Sequence, residues 1–147
     1  MKKFSKVIAA MLACIFLLST TAFAAETHNA RSSAYIFNTY AEMTAGRSGK
    51  LTISFSVTGM DVMSQLGAST IKLYEDNGTS VELVKTYRYT DLGYSAMMGY
   101  NKIQHSGTVS YSGTIGYKYY AEVYLTAKDS TGSDTVTELT STVTAKR

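Results

Sequence analysis

Apolar and polar residues alternate with a period of two along most of this chain. The pattern is clearest over residues 50–58, where Leu51, Ile53, Phe55 and Val57 interleave with Thr52, Ser54, Ser56 and Thr58. A period of two puts successive side chains on opposite faces of an extended strand, so this segment predicts a strand with one buried and one wet face. Residues 69–75 repeat the pattern through Ile71 and Leu73, and residues 80–89 return with Val81, Leu83 or Val84, and the Tyr87/Tyr89 pair. Between them Asp76-Asn77-Gly78 supplies residues that tolerate positive φ, which predicts a hairpin. Residues 117–128 form the longest predicted strand, with Tyr119, Ala121, Val123, Leu125 and Ala127 inward. Asp129-Ser130-Thr131-Gly132 turns the chain into residues 133–145, with Thr135, Thr137, Leu139, Ser141 and Val143 in one register. A short strand is expected at 108–112, and a first strand at 34–43 that turns through residues 45–49. One segment reads as helical: Asp61 can cap a turn over residues 62–66 that Gly67 ends, with Val62 and Leu66 plugging the core. About seven short strands with frequent turn signals predict an all-β fold, a single antiparallel β-sandwich.

The first residues break this pattern. Residues 1–6 are basic through Lys2, Lys3 and Lys6, residues 7–18 are apolar, and Ala22-Phe23-Ala24 offers small residues at a cleavage site. This predicts a secretory signal peptide over 1–24, cut after Ala24, with a cut after Ala25 the near alternative. The apolar run is about a dozen residues, short of the roughly 20 that a membrane span needs, so no span is expected after cleavage. A loose tail over 25–33 would lead into the β domain, 34–147. Cleavage changes the chemistry as well as the length. The sole cysteine, Cys14, leaves with the leader, so no disulfide or thiolate site remains and stability must come from a packed core. The formal net charge of +3 disappears too: without the three leader lysines the 14 Lys and Arg fall to 11, matching the 11 Asp and Glu. A neutral domain lacks the basic footprint of a nucleic-acid binder.

Residues 116–127, Gly-Tyr-Lys-Tyr-Tyr-Ala-Glu-Val-Tyr-Leu-Thr-Ala, with the following Asp129-Ser130-Thr131-Gly132-Ser133 turn, resemble the last two strands of fibronectin type III and related immunoglobulin-like modules. The resemblance implies that Tyr119 is a corner tyrosine whose hydroxyl bonds backbone a few residues upstream. Gly113 stands where those modules usually carry a leucine. The wider layout is similar to short secreted single-domain proteins of Gram-positive bacteria. It shares the leader, Met60-Asp61 with Leu66-Gly67-Ala68, the Ile71-Lys72-Leu73-Tyr74-Glu75 strand and the ending from Gly132 to Ala145. That resemblance implies export and carries no activity.

Catalytic and metal-binding patterns are sparse. His28 falls in the tail, and His105 keeps polar company with Asn101, Lys102 and Gln104, with no second ligand at metal-binding spacing. No G-x-S-x-G elbow, P-loop or dinucleotide fingerprint occurs. Glu75 and Asp76 end a strand, and a turn role explains them. Asp129 and Asp134 flank the last hairpin, where side-chain capping of the turn is the simpler reading beside a calcium site. Asn77-Gly78-Thr79 matches a glycosylation acceptor and, more simply, the hairpin turn. The expectation is therefore a non-catalytic chain with no cofactor and no metal.

What remains is surface. The chain is rich in tyrosine, with 12, a residue that supplies contact area and a hydroxyl at low entropic cost. Two candidate contact regions follow. Residues 91–107 lack clean alternation and hold Tyr94, Met97, Met98 and Tyr100. They read either as a contact loop or as an irregular strand with the methionines in the core, and the frequency of apolar burial favours the second. The other is the outer row Tyr120, Glu122, Tyr124 and Thr126, whose two tyrosines could stack a ligand or simply pair across strands. The expected function is an extracellular or cell-surface binding module for a glycan, cell-wall polymer or protein, monomeric or weakly self-associating. A structural protein assembling through poorly guarded sheet edges is the competing reading, ahead of a small hydrolase or enzyme inhibitor.

Overall fold

A computed structural model of the chain describes residues 33–147. The expected leader and all of the expected tail except Ser33 lie outside the described residues. The described part is all-β and antiparallel. Its strands are β1 (Ile36–Ala45), β2 (Lys50–Met63), β3 (Gln65–Asp76), β4 (Val81–Arg88), β5 (Met98–Gly99), β6 (Lys102–Ser112), β7 (Lys118–Lys128), β8 (Ser133–Leu139) and β9 (Val143–Thr144). One short 3-10 turn, Ser95–Met97, precedes β5. β1, β2 and β6 make a three-stranded sheet in the order β1-β2-β6. The second sheet runs β4-β3-β7-β8, with β5 on β3 beyond the end of β4 and β9 on β7 beyond the end of β8.

Alternation produces the core as the physics of the pleat requires. Leu51, Ile53, Phe55 and Val57 of β2 are buried and join Ile71 and Leu73 of β3 and Tyr119, Ala121, Val123, Leu125 and Ala127 of β7 in one hydrophobic cluster. The inward rows of both sheets therefore meet in a single interior. The 76–80 hairpin forms as expected. Gly78 adopts φ +87°, the Asp76 carboxylate accepts from its N–H (2.8 Å), and the Asn77 side-chain oxygen accepts from Thr79 and Ser80 N–H (2.8 and 2.9 Å). Asn77 is thus committed to the turn.

Three expectations need correction. Residues 62–66 are not helical: β2 continues to Met63, Ser64 alone separates it from β3, and the chain changes sheets there. Asp61 does make a local bond, accepting from Val62 N–H at 2.7 Å. Extended backbone nevertheless prevails, because it turns both Met63 and Leu66 into the core while Val62 stays 58% exposed. A helical turn would have set Val62 and Leu66 on one side. Next, the expected short strand at 108–112 is the end of a longer one, since β6 begins at Lys102, which pairs with Met63 of β2 across a bulge before the regular ladder from Gln104 to Ser112. Finally, residues 133–145 are not one strand. Thr140 interrupts them, and Thr135, Thr137 and Leu139 face outward.

Gly113 finds its reason in packing. A Cβ there would lie 2.8 Å from the Tyr119 ring, so the ring occupies the space a leucine would need. The Tyr119 hydroxyl accepts from Thr114 N–H (2.7 Å), a backbone bond five residues upstream, and donates to the Glu75 carboxylate.

Candidate contact surface

The outer face of the second sheet gathers the aromatic and charged side chains of β3 and β7. Lys72 and Tyr74 alternate with buried Ile71 and Leu73. Tyr120, Glu122 and Tyr124 alternate with buried Ala121 and Val123. Register then sets their neighbours. Tyr74 lies opposite Tyr120, Lys72 opposite Glu122 and Thr70 opposite Tyr124. On the flanks, Leu83 of β4 lies opposite Tyr74 and Leu139 of β8 opposite Glu122. These two leucines are 52% and 59% exposed.

The polar heads form one connected network. Lys72 Nζ donates to Tyr124 Oη at 3.1 Å and sits 5.0 Å from that ring's centroid. Tyr124 Oη donates to Glu122 Oε2 at 2.9 Å, and Tyr74 Oη donates to the same oxygen at 3.1 Å. The Tyr74 and Tyr120 rings stack with centroids 5.0 Å apart and planes 12° apart. Titration follows the bonding. The hydrogen bond to Tyr124 raises the Lys72 pKa above its ordinary value. Partial burial, then the bond to Glu122, raises that of Tyr74. Both shifts keep the proton on its group, so Lys72 stays a cation and Tyr74 a phenol at neutral pH.

This geometry decides how the face can be used. In the Tyr74–Tyr120 stack each ring covers one face of the other, and Lys72 sits over the ring of Tyr124. The result is a pleated surface with a fixed hydrogen-bonding centre between two exposed leucines, the composition of a contact patch with an apolar margin.

Of the residues singled out from sequence, Tyr120 and Tyr124 share this face. Tyr94, Met97, Met98 and Tyr100 do not form a second one. Met97 and Met98 are 3% and 4% exposed, so they offer a partner nothing. Met97 belongs to the core cluster, and Tyr94 packs against it, edge-on to Tyr87 at 5.1 Å. Tyr100 alone of the four is exposed. The two methionines follow the irregular-strand reading of 91–107, with the backbone there pinned at two places. β5 pairs with β3 at Leu66 and Gly67, and His105 Nε2 lies 2.9 Å from the Ala96 carbonyl oxygen. Lys72, Tyr74, Leu83 and Leu139 were not singled out, whereas Glu122 was part of the outer row read from β7. Their outward direction was readable from alternation, but their convergence required the β3–β7, β3–β4 and β7–β8 registers.

The Asp129 cluster is local. Asp129 Oδ1 accepts from Thr131 N–H (2.6 Å), Thr131 hydroxyl (2.7 Å) and Gly132 N–H (3.1 Å). The Thr131 bonds hold its carboxyl below the usual range, which is the turn-capping role. Among the described residues no group of three or more His, Cys, Asp or Glu side chains is placed to hold a metal ion. No model of a known protein family matches the chain, and no curated protein matches it at a significant level.

Proposed function

We propose that this chain is exported and that its β domain, an immunoglobulin-like sandwich, is a non-catalytic extracellular binding module for a glycan, cell-wall polymer or protein. The observation that carries the reading is the Lys72–Tyr124–Glu122–Tyr74 network, set on a rigid sheet between exposed Leu83 and Leu139. Side chains already fixed in the free protein lose little entropy on binding. The Tyr119 hydroxyl bonded to upstream backbone supports the immunoglobulin-like assignment. Export is tested by the N-terminal sequence of protein recovered from culture medium, which should begin at Ala25. Binding is tested by titrating the purified protein with wall preparations, soluble glycans and wall-associated proteins while following tyrosine ring NMR signals. Tyr74, Tyr120 and Tyr124 signals should shift together, and Tyr120→Ala should weaken binding about tenfold or more. Silence of all three rings across these ligands defeats the reading.

Assembly through sheet edges is a second reading with its own support. Neither sheet closes on itself, so β1, β4, β6 and β8 all present a free margin. Electron microscopy and sedimentation of the concentrated protein separate it from a purely monomeric module.

A further inference from the structure

The four margins are not equally protected. Edge strands invite pairing with another chain, and charged side chains, proline or a covering element suppress it. β1 carries Glu42 and is tied to the opposite sheet, where Thr39 donates to Glu138 and Tyr35 Oη meets Thr131 Oγ1 at 3.2 Å. β4 carries Glu82, Lys85 and Arg88, and β8 carries Asp134 and Glu138. β6 is different. Its first residue is Lys102, and from Ile103 to Ser112 it holds no charged residue and no proline.

The direction of its backbone groups can be read from two bonds. Gly113 N–H donates to the Gly49 carbonyl at 2.9 Å, next to the Lys50–Ser112 pair. In an antiparallel ladder bonded and non-bonded pairs alternate. Tyr111, Val109, Gly107 and His105 therefore turn their N–H and C=O toward β2, and Ser112, Ser110, Thr108, Ser106 and Gln104 turn theirs away. The second bond agrees: the Tyr87 hydroxyl, from the other sheet, reaches the Ser110 carbonyl at 3.2 Å. Among the described residues no other protein group bonds the backbone of these five.

We propose that β6 pairs antiparallel with β6 of a second copy, about a two-fold axis at Thr108. Two three-stranded sheets then become one continuous sheet. The strand is self-complementary in the ways such a pair requires. An axis at Thr108 sets Gln104 opposite Ser112 and Ser106 opposite Ser110, so all five outward residues find partners. Lys102 then falls opposite Thr114, away from its own copy. The outer side chains meeting across the junction are Gln104, Ser106, Thr108, Ser110 and Ser112, so Gln104 faces Ser112 and the rest pair hydroxyl to hydroxyl. Hydroxyl pairs of this kind are favourable across strands. They continue the row of Thr52, Ser54 and Ser56 on β2. This inference rests on the edge-assembly reading, names the edge and closes it as a pair. It does not depend on the tyrosine face.

The test combines sedimentation equilibrium with amide hydrogen exchange over a concentration series. A monomer–dimer equilibrium is expected, with exchange at Gln104, Ser106, Thr108, Ser110 and Ser112 slowing as concentration rises. Thr108→Pro deletes an N–H that β2 does not use, so the fold should stand while association drops about tenfold or more. Thr108→Lys, which keeps the backbone intact, should do the same by facing like charges, with recovery at high salt. A monomer across the whole range overturns both this pair and edge assembly in general. A dimer that ignores both substitutions and leaves the five amides unprotected overturns the β6 pair while leaving assembly through another edge standing. Open-ended filaments overturn the closed pair as well.

Discussion

Tyr119 shows how much one side chain can hold. Its ring is fully buried beside Gly113, and its hydroxyl bonds both Thr114 backbone and the Glu75 carboxylate. Tyr119→Phe keeps the ring and strips both bonds, leaving Glu75 short of a donor. The expected cost is about 1–3 kcal/mol of unfolding free energy, measured by urea denaturation. A loss below a few tenths would mean that water replaces the hydroxyl freely. Tyr87 makes a prediction about pH. Burial, then the neighbouring Tyr94 and Tyr111, pushes its pKa up to about 12 from an ordinary 10. The folded state therefore holds this proton more tightly than the unfolded chain does. Its stabilising contribution is complete below pH 10 and disappears as pH rises toward 12. Denaturation midpoints should fall across that window. Tyr87→Phe should flatten the fall, and an equal fall in that variant would assign it to other tyrosines.

At the scale of elements, the interrupted partner of β7 is the instructive case. β9 pairs with Lys118 and Tyr119, β8 pairs from Glu122 onward, and Ala121 falls between them. Thr140 fills the gap: its hydroxyl accepts from Ala121 N–H at 2.9 Å, and its own N–H donates to the Ala121 carbonyl at 3.0 Å. It is a buried polar residue, 4% exposed, placed to satisfy a backbone group that a broken strand would leave bare. Thr140→Val should cost about 1–3 kcal/mol and speed exchange of the Ala121 amide specifically. Unchanged exchange at Ala121 would count against the role. The segment before β6 gives a paired prediction. Met97→Ala removes a core side chain and should cost about 2–5 kcal/mol. Leu92→Ala, at a position 100% exposed, should stay within about 0.5 kcal/mol. Comparable losses in the two would contradict the burial described for residues 91–107. Alternation could not decide this segment, because a two-residue strand and one short turn have no period to display.

The whole molecule is built from distant partners. Ile53 pairs with Val109, and Gln65 with Lys128. Chain closure over such separations must be met before the core rewards it, so folding is expected in milliseconds to seconds rather than microseconds. Stopped-flow tyrosine fluorescence can follow it, since the chain has no tryptophan. Complete folding within microseconds would show that local structure carries more of the stability than the register implies.

Local chemistry was enough to set which way β2, β3 and β7 face and where their hairpins turn. A pleat forces period-two burial, and Asp76-Asn77-Gly78 or Asp129 through Gly132 close their turns with their own side chains. Residues with two acceptable local conformations were settled by their distant neighbours. Asp61 through Leu66 stayed extended because Met63 and Leu66 both had core to fill. Met97 and Met98 went inside because β5 docks on β3. Tyr74 met Tyr120 because β3 lies beside β7, a pairing between residues far apart in the chain that no nearby pattern encodes.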